Sequence, residues 1–389
     1  MVYKVSFLGS ASLLRAFLFF FAIDYLLTPK YYYNQSPTFI NIPKQDVKFR
    51  LEKDITLFQK KLQHWYANHQ RDLPWRRNPT LYKTVVSEFM LQQTQVDTVL
   101  PYFHRWISNF PDFDSIARAK EEVVVKNWEG LGHYSRARNL HRVARILTSS
   151  EKIPSRAKEW EQYPGIGPYT AAAISSISFH YPAAVLDGNV IRILTRLTAD
   201  ATLFNDSNSA IRKLTPLANK LLDVINPGTH NQAMMELGAT VCMRSKPRCS
   251  VCPVHSFCSA GKRGDRDQFP RFKAKPPQRL KINRVWIQRN GALLLHKASS
   301  KAKRLADFYE LPTAEGFVKN PTRKDRVVIK KRSISNQYIE ERIYRVKSNA
   351  KIAQLVRSSP DLHWIPASKM DAIILSGPHR RWINEIIAD

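Results

Sequence analysis

The stretch YPGIGPYT, residues 163–170, joins two segments that both have helical periodicity. Its glycines, Gly165 and Gly167, allow a tight backbone turn, and a helix is predicted to begin at about Tyr169 with its first N–H groups free. A helix start of this kind can hold a DNA phosphate through backbone amides. Taken alone, the stretch is equally typical of an ordinary turn between helices, so other parts of the chain have to decide.

Two acidic residues suit the cleavage of a glycosidic bond. In LDGNV, residues 186–190, Asp187 lies at a predicted helix start beside a glycine that leaves room for a substrate; the alternative is a simple N-cap. In VSEFMLQQTQV, residues 86–96, Glu88 lies among apolar residues, which predicts a pKa raised by desolvation; the alternative is an ion pair with a distant arginine. A raised carboxyl and an ionised carboxylate divide the roles of acid and electrostatic stabiliser.

The only cysteines of the chain lie in one short stretch with the spacing C-x6-C-x2-C-x5-C. They are Cys242, Cys249, Cys252 and Cys258. Cysteines this dense bind metal or form disulfides. The spacing fits a thiolate-ligated iron–sulfur cluster, with zinc and disulfides as the alternatives. Arg244, Lys246 and Arg248 lie between the cysteines, and a metal loop that presents cations favours nucleic acid as the partner.

The composition also predicts a polyanionic partner. The 389 residues carry a formal net charge of +29 and a pI near 10.1, which suits nucleic acid or an acidic membrane surface. The length suffices for two domains with ordinary cores. Thiolate chemistry indicates a reducing compartment or a protected cluster rather than a secreted protein.

Residues 1–47 are interpreted as an N-terminal extension outside the fold. Their apolar run, residues 16–23, is shorter than the roughly 20 residues that a membrane span requires, and Arg15 and Asp24 flank it. No convincing cleavage pattern follows it. A weak targeting segment is the alternative, and no stable membrane association is expected.

Helical periodicity continues almost without pause over residues 48–268, which predicts an all-α region. In one of its helices Val85, Phe89 and Gln92 lie on one face. Pro101 is predicted to stop that helix, because proline lacks the backbone N–H that a helix interior uses.

The character of the chain changes after residue 268. Residues 269–281 are rich in Pro and Lys, a composition typical of a linker. Residues 282–389 then predict a small α+β domain. Within it, Asn290-Gly291 between two apolar runs predicts a β-hairpin, and the last segment, from His379, is predicted to be helical.

Several motifs in a fixed order carry a resemblance to a known family. They are RDLPWR (71–76), VSEFMLQQTQV (86–96), WEGLG (128–132), PGIGPYTA (164–171), LDGNV (186–190), NQAMMELGA (231–239) and the cysteine stretch (242–258). Together they resemble the adenine DNA glycosylase family (MutY) of the helix-hairpin-helix superfamily, closely over residues 60–258 and loosely beyond. The resemblance implies a multidomain protein. An all-α helix-hairpin-helix glycosylase domain with an iron–sulfur loop (48–268) precedes a C-terminal α+β MutT/Nudix-like domain (282–389) that reads the lesion.

The function implied is that of a monofunctional base excision repair enzyme. It would hydrolyse the N-glycosidic bond of adenine mispaired with 8-oxoguanine, or with G or C, in duplex DNA. By this resemblance Glu88 protonates adenine N7, Asp187 stabilises the oxocarbenium-like sugar, and Tyr169 and Asn189 orient groups around it. The implied contacts to DNA and base are Arg71, Trp75, Leu91, Gln93, His133, Gly165, Gly167, Gln232 and Ser335. The four cysteines are implied to hold one 4Fe–4S cluster.

Gln93, on the helix of Glu88, resembles the family residue that wedges into the gap left by the flipped base. Trp75 and Leu91 resemble the base pocket but are equally typical of an ordinary core. An amide such as Gln232 can bond the N6 and N7 edge of adenine.

The chain departs from the family pattern at positions that read the lesion. His133 stands where a tyrosine is usual, and its imidazole is smaller and titrates near pH 6.5. Ile334-Ser335-Asn336 replaces the usual Phe-Ser-His and keeps only the serine. These departures predict weaker lesion discrimination. The Glu-rich, Mg²⁺-binding helix of a pyrophosphohydrolase is also missing, so nucleotide hydrolysis is not expected.

Three other functions compete with this interpretation. A bifunctional pyrimidine-lesion glycosylase of the endonuclease III type would need a lysine nucleophile where this chain has Tyr169. A damage-binding protein without catalysis is disfavoured by Glu88 and Asp187. A membrane-anchored basic protein is the remote third. A monomer bound to mispaired duplex DNA is expected, with unidentified protein partners, in the bacterial cytoplasm or nucleoid, or in a eukaryotic nucleus or mitochondrion.

Overall fold

The computed structural model describes residues 54–388, apart from residues 275, 303, 304, 320 and 335. The predictions made for residues 1–47 and for Ser335 therefore lie outside the described residues. The described residues belong to one compact unit. We call residues 54–268 the helical region and residues 269–388 the sheet region.

Helices dominate the described part of the chain, as the periodicity predicts. They are α1 (Ile55–His69), α2 (Leu81–Leu91), α3 (Val96–Asn109), α4 (Phe113–Arg118), α5 (Glu121–Asn127), α6 (Ser135–Ser149), α7 (Ala157–Trp160), α8 (Pro168–Phe179), α9 (Gly188–Thr198), α10 (Ser207–Leu221), α11 (Pro227–Thr240), α12 (Ser259–Arg263), α13 (Ala350–Ser358) and α14 (Gly377–Ala388). The start of α14 near His379 confirms the predicted C-terminal helix. None of the described helices is long and apolar enough to cross a membrane.

Helix α2 is buried on nearly every side. Thr80 caps its start by accepting a hydrogen bond from the Lys83 N–H at 3.2 Å, and the helix packs against α3, α6 and α8. A helix that is apolar around its whole circumference is typical of a protein interior. The same packing carries the carboxyl of Glu88 into that interior.

The predicted end of α2 at Pro101 is wrong. The helix ends at Leu91, and Pro101 lies inside α3 on an exposed face. Helix α2 ends there because the Arg136 guanidinium donates hydrogen bonds to the carbonyls of Phe89, Met90 and Gln92 at 2.5–3.1 Å. Proline is tolerated in α3 because the carbonyl left without a partner faces water.

Helix α8 lies between α2 on one side and α11 on the other. One core cluster surrounds α2 and α8, and a second is built from α1, α9 and α11. Gly238 lets α9 and α11 approach closely, because a Cβ there would lie 2.5 Å from the Asn189 Cβ. The starts of α8 and α9 therefore meet α2 and α11 at one place.

The sheet region contains two small sheets. The strands in the described residues are β1 (Leu203–Phe204), β2 (Arg271–Phe272), β3 (Gln278–Trp286), β4 (Gln288–Arg289), β5 (Ala292–Lys297), β6 (Tyr309–Glu310), β7 (Arg326–Ile334), β8 (Gln337–Arg345) and β9 (Leu362–Pro366). One sheet has the order β3-β8-β7, with β3 parallel to β8. In the other, β5 pairs antiparallel with β4, β6 and β9.

The predicted hairpin is confirmed by β4 and β5. Asn290 and Gly291 both have positive φ, of 48° and 73°, as a two-residue hairpin turn requires. Part of the stretch interpreted as a linker is strand: β2 pairs in parallel with β1 of the helical region, and β3 begins at Gln278. The Phe204 and Phe272 rings, with centroids 5.7 Å apart, stabilise that pairing.

A buried ion cluster lies in the core of the sheet region. Glu341 is 0% exposed, and its carboxylate contacts Arg284 at 2.9 Å and Arg332 at 2.5 Å. Burial would raise the pKa of Glu341, but the His379 hydrogen bond and the two arginines outweigh it and lower the pKa to about 2. The contribution of this carboxylate to stability is therefore fully present above its ordinary pKa of 4.5 and is lost as the pH falls through about 2.

We expect Glu341→Gln to destabilise the sheet region by about 3–5 kcal/mol at pH 7, because it removes the fully buried negative charge on which Arg284 and Arg332 converge. Thermal unfolding from pH 7 to pH 2 measures the difference from wild type, which should shrink toward pH 2. Glu340→Gln is the control, since the neighbouring side chain forms an ion pair with Arg342 at the surface. Equal losses in both variants would contradict this account.

Candidate active site

A cleft of about 900 Å³ opens where α2, α8, α9 and α11 meet the segment before α2. Eight of the predicted site residues line it: Arg71, Trp75, Glu88, Leu91, Tyr169, Asp187, Asn189 and Gln232. The cleft therefore brings together residues that are up to 161 positions apart in the sequence. Gln93, His133, Gly165 and Gly167 lie outside its lining.

Glu88 is held in the interior without a counterion. Its residue is 5% exposed, and its Oε2 atom is buried without a hydrogen-bond partner among the described residues. Burial raises the pKa of Glu88 to about 7, with the Tyr169 hydroxyl opposing the shift and the charge of Asp187 adding to it. The raised pKa predicted from the apolar sequence is therefore found, and the alternative of an ion pair with an arginine is not.

Asp187 is both an N-cap and a wall of the cleft. Its Oδ1 accepts the Val190 N–H at 2.7 Å, and its Oδ2 accepts the Asn189 amide N–H at 2.9 Å. Burial raises the pKa of Asp187 above its ordinary value of 3.8, and these two hydrogen bonds counteract the rise. The cap fixes the carboxylate at the start of α9, where the helix dipole favours the ionised form.

Tyr169 lies near the two acids, as the second residue of α8. Burial, followed by the charges of Glu88 and Asp187, raises its pKa well above 10. The phenol therefore stays neutral, and its hydroxyl donates to the Met235 sulfur at 3.1 Å and also interacts with Glu88. A neutral donor beside Glu88 can orient that carboxyl without ionising it.

Glu236 is a site residue that sequence reasoning missed. Its 0% exposed carboxylate accepts Arg71 Nε at 2.7 Å and Arg76 Nη2 at 2.9 Å. The Arg71 guanidinium is therefore turned toward Glu236 at the wall of the cleft. The available signal was the same one that marked Glu88, an acid between apolar neighbours, here Met235 and Leu237.

The pocket residues named from the sequence have mixed surroundings. Trp75 is 8% exposed and packs edge-on against Phe103 at 5.1 Å, so it serves the core as well as the cleft. Leu91 contacts the same core cluster from its edge. The Gln232 Oε1 accepts a hydrogen bond from the Tyr66 hydroxyl at 3.3 Å, which leaves its amide N–H groups for a ligand.

Gln93 and His133 are exposed, and each lies on a turn whose backbone carbonyls accept hydrogen bonds from Arg136. Gln93 follows the end of α2 rather than lying on it, and both residues have positive φ, of 57° and 47°. The buried Arg136 donates to carbonyls at the end of α2 and to those of Leu131 and Gly132 at 3.1 Å. Desolvation and the charge of Arg136 lower the pKa of His133 below 6.5, so the imidazole is neutral at neutral pH.

Only one of the two predicted turn glycines is needed for its conformation. Gly165 has a φ of 78°, and a Cβ there would lie 2.3 Å from the Asn139 amide nitrogen. Gly167 has a φ of −89°, which any residue adopts, so that prediction is corrected. A Cβ at Gly167 would meet no atom within 4 Å, so the start of α8 stays open to a ligand.

The four cysteines are free thiols in one loop. Arg196 donates to the Cys242 sulfur at 3.4 Å. Burial raises the pKa of Cys252 to about 12, and the three other cysteines add to that shift. No group of three or more His, Cys, Asp or Glu side chains within residues 54–388 is arranged to hold a metal ion. All four thiols are free, so no disulfide joins them within the described residues.

The cysteine loop is tied to the cleft through Arg192. Its Nε donates to the Cys242 carbonyl at 2.7 Å, and its Nη2 donates to the Asn189 Oδ1 at 2.8 Å. Asn189 in turn bonds Asp187. A shift of the loop would therefore reach the carboxylate through two side chains.

Comparison with known proteins identifies relatives of this sequence. A family model described as HhH-GPD superfamily base excision DNA repair protein covers residues 86–217. An adenine DNA glycosylase of Buchnera aphidicola subsp. Acyrthosiphon pisum is 36% identical over 246 residues, which are 60% of this chain and 70% of that protein. The chain belongs to the adenine DNA glycosylase family.

Mammalian members of this family are more similar but longer. The mouse adenine DNA glycosylase is 42% identical over 236 residues, which are 57% of this chain and 45% of that protein. The human one is 42% identical over 234 residues, 57% of this chain and 42% of that protein. The matched part of this chain thus spans less than half of these mammalian relatives.

One solved structure, of a thermostable thymine-DNA glycosylase, covers 54% of this chain and 97% of its own, at 24% identity and a TM-score of 0.47. That similarity is too low to add an argument about the substrate of this family member.

Above pH 7 Glu88 is ionised inside the protein, and this buried charge should lower the free energy of unfolding. A pKa raised from 4.5 to about 7 corresponds to about 3 kcal/mol, absent below pH 4.5 and complete above pH 7. Glu88→Gln should therefore raise the unfolding free energy at pH 8 and leave it unchanged at pH 4. Chemical denaturation at both pH values measures this, and a variant destabilised at pH 8 would contradict it.

Proposed function

We propose that this chain is a monofunctional DNA glycosylase that removes adenine paired with 8-oxoguanine or guanine in duplex DNA. The observation that carries the proposal is Glu88, a buried carboxyl with a pKa of about 7, which shares a cleft with Asp187 and Tyr169. An acid that is half protonated near neutral pH is what departure of a poor leaving group requires.

In the first step protonated Glu88 gives its proton to N7 of the flipped adenine. The bond between the sugar C1′ and adenine N9 then breaks, and its electron pair leaves with the protonated base. A positioned acid contributes about 10²–10⁴-fold to such a step. The neutral Tyr169 hydroxyl orients the Glu88 carboxyl throughout.

In the second step the Asp187 carboxylate stabilises the positive charge on the sugar. The Val190 N–H and the Asn189 amide hold that carboxylate still, so little reorganisation is needed when the charge develops. Water then adds to C1′ and gives a proton to the Glu88 carboxylate that the first step left, which restores the acid and leaves an abasic site. No lysine lines the cleft among the described residues, which supports hydrolysis rather than strand cleavage through a Schiff base.

The wall opposite the acids is proposed to read the base. Flipping costs a few kcal/mol, and stacking against Trp75 offsets part of that cost. The free amide N–H groups of Gln232 suit an acceptor on the base edge. Glu236 holds Arg71 and Arg76 at this wall, so their guanidinium groups are oriented before the base arrives.

The cysteine loop is proposed to hold one 4Fe–4S cluster on Cys242, Cys249, Cys252 and Cys258. When bound, such a cluster would shape a loop whose cations, among them Arg244 and Lys246, face a DNA backbone. The exposed start of α8 at Gly167 suits a second phosphate contact.

The division into a glycosylase domain (48–268) and a MutT/Nudix-like, lesion-reading domain (282–389) is part of the same proposal. The long β7–β8 hairpin carries Ile334 and Asn336 at its turn, and the Asn336 amide donates to the Pro276 carbonyl at 3.0 Å. An asparagine engaged in this way leaves lesion reading mainly to other residues, His133 among them.

Single-turnover release of adenine from duplexes with A opposite 8-oxoguanine, G or C tests the activity. We expect release from the first two duplexes and strand breaks only after alkali. Glu88→Gln and Asp187→Asn should each lower the rate by at least about 10²-fold while duplex binding persists. The wild-type rate should fall about tenfold per pH unit above pH 7, because the acid loses its proton.

The matched control is Glu151→Gln, an exposed acid far from the cleft lining, which should keep the wild-type rate. Strand breaks without alkali, trapped by borohydride, would favour the endonuclease III type. Binding of the mispaired duplex without any release would favour the damage-binding protein.

Iron and acid-labile sulfide analysis of the purified protein tests the cluster. We expect about four of each per chain, and loss of the bound metal in Cys252→Ser. Ser250→Ala, an exposed neighbour in the same loop, is the control and should keep the full content. One zinc ion per chain, with no sulfide, would contradict the cluster.

A further inference from the structure

One side chain of the sheet region completes the core of the helical region. Phe308 is 0% exposed and belongs to the cluster that contains Trp128, Leu131 and Tyr134. Its ring centroid lies 4.2 Å from that of Tyr134. Burial of a whole phenyl ring here ties the sheet region to the residues beside His133.

The turn that carries Phe308 is held in an unusual conformation. Leu305 and Asp307 have φ values of 53° and 66°, although neither is a glycine. Hydrogen bonds between Ala298 and both Asp307 and Phe308 hold the turn from the sheet side. Arg138 of α6 holds it from the helical side, donating to the Ala306 carbonyl at 2.7 Å.

A second contact joins the sheet region to the helical region, at Glu129. Arg380 of α14 donates to Glu129 Oε1 at 2.7 Å. Its other nitrogens donate to the carbonyls of Met370 and Ile373, both at 2.8 Å. The guanidinium is thus fixed within the sheet region before it reaches Glu129. Lys126 adds a bond to the Ile373 carbonyl at 3.1 Å.

Between these two contacts runs the loop of residues 129–134, which presents His133. Substitution of Gly130 would strain the loop, because its φ is 106° and an added Cβ would overlap the Tyr102 hydroxyl. The Tyr134 hydroxyl accepts the Gly130 N–H at 3.3 Å, and the Trp128 indole donates to the Gly132 carbonyl at 3.1 Å. Few conformations of this loop satisfy all these hydrogen bonds. A displacement of either end of the loop should therefore displace His133.

We infer that Phe308 and Arg380 are positioning residues for His133, through which the sheet region influences discrimination of the base opposite adenine. The inference rests on the proposed function, in which His133 faces the opposite strand. It would let the sheet region influence reading although Ile334 and Asn336 replace the usual phenylalanine and histidine. Phe308 and Arg380 contact the two ends of the loop, at Tyr134 and Glu129. The cleft around Glu88 is built from other elements, α2, α8, α9 and α11.

Rates of adenine release opposite 8-oxoguanine and opposite G, measured on the full chain, give the discrimination ratio. Phe308→Ala and Arg380→Gln should each lower that ratio about tenfold, since a displacement of about 1 Å at a reading group costs up to about 10²-fold. Phe308→Leu, which still fills the core, should restore most of it. Ile352→Ala is the control: it empties a core of the sheet region that lacks contact with this loop and should leave the ratio unchanged.

A double-variant cycle separates positioning from general destabilisation. In a His133→Ala background, Phe308→Ala should produce no further fall in the ratio. A further fall of equal size, an unchanged ratio in both single variants, or the same fall in Ile352→Ala would overturn the inference. Should Phe308→Ala not fold, Arg380→Gln carries the same cycle.

Equilibrium binding to the two duplexes is measured alongside. If wild type releases no adenine, the proposed function fails, while the ratio of the two dissociation constants still reports on the loop. A binding ratio that changes in Arg380→Gln but not in Ile352→Ala supports positioning in that case. A binding ratio that is unchanged in both contradicts it.

Discussion

A nearly buried acid without a counterion among the described residues is the constraint on which the rest of this molecule depends. Glu88 reaches a pKa of about 7 because α2 is buried on almost every side and because the Glu88 Oε2 atom has no hydrogen-bond partner in the described part of the chain. That arrangement works against folding above neutral pH, so the surrounding helices must be stable enough to tolerate it. The proposed function gives a reason for keeping this destabilising carboxyl, since a proton would have to be available for the leaving base.

Buried arginines hold the frame around that acid. Arg136, Arg192 and Arg196 lie in the helical region, and each donates to backbone carbonyls at helix ends or in loops. Carbonyls at helix C-termini carry partial negative charge, so they satisfy a guanidinium without needing a carboxylate. This leaves the few buried acids for other tasks. It also means that part of the large positive charge of the chain serves architecture rather than DNA binding.

The sheet region is joined to the helical region by specific contacts as well as by the chain. A short β1–β2 pairing anchors its start, and Phe308 and Arg380 anchor it beside the loop that presents His133. Within that loop the Tyr134 hydroxyl accepts the Gly130 N–H, so the loop is held from the helical side and from the sheet side.

The sequence by itself determined what depends on short-range chemistry. An acid in an apolar helix, a carboxylate at a helix start, an Asn-Gly hairpin and four clustered thiols are all readable from neighbours within a few residues, because periodicity and turn geometry are local. Only the tertiary structure decided where α2 ends, because the carbonyls at its end are bound by Arg136, which lies 45 residues beyond Leu91 in the sequence. It alone showed that Arg71 faces Glu236, that Gly165 rather than Gly167 needs to be glycine, and that Phe308 fills a core in another region. Each of these depends on which distant group satisfies a buried charge or fills a cavity, and no local pattern encodes that partner.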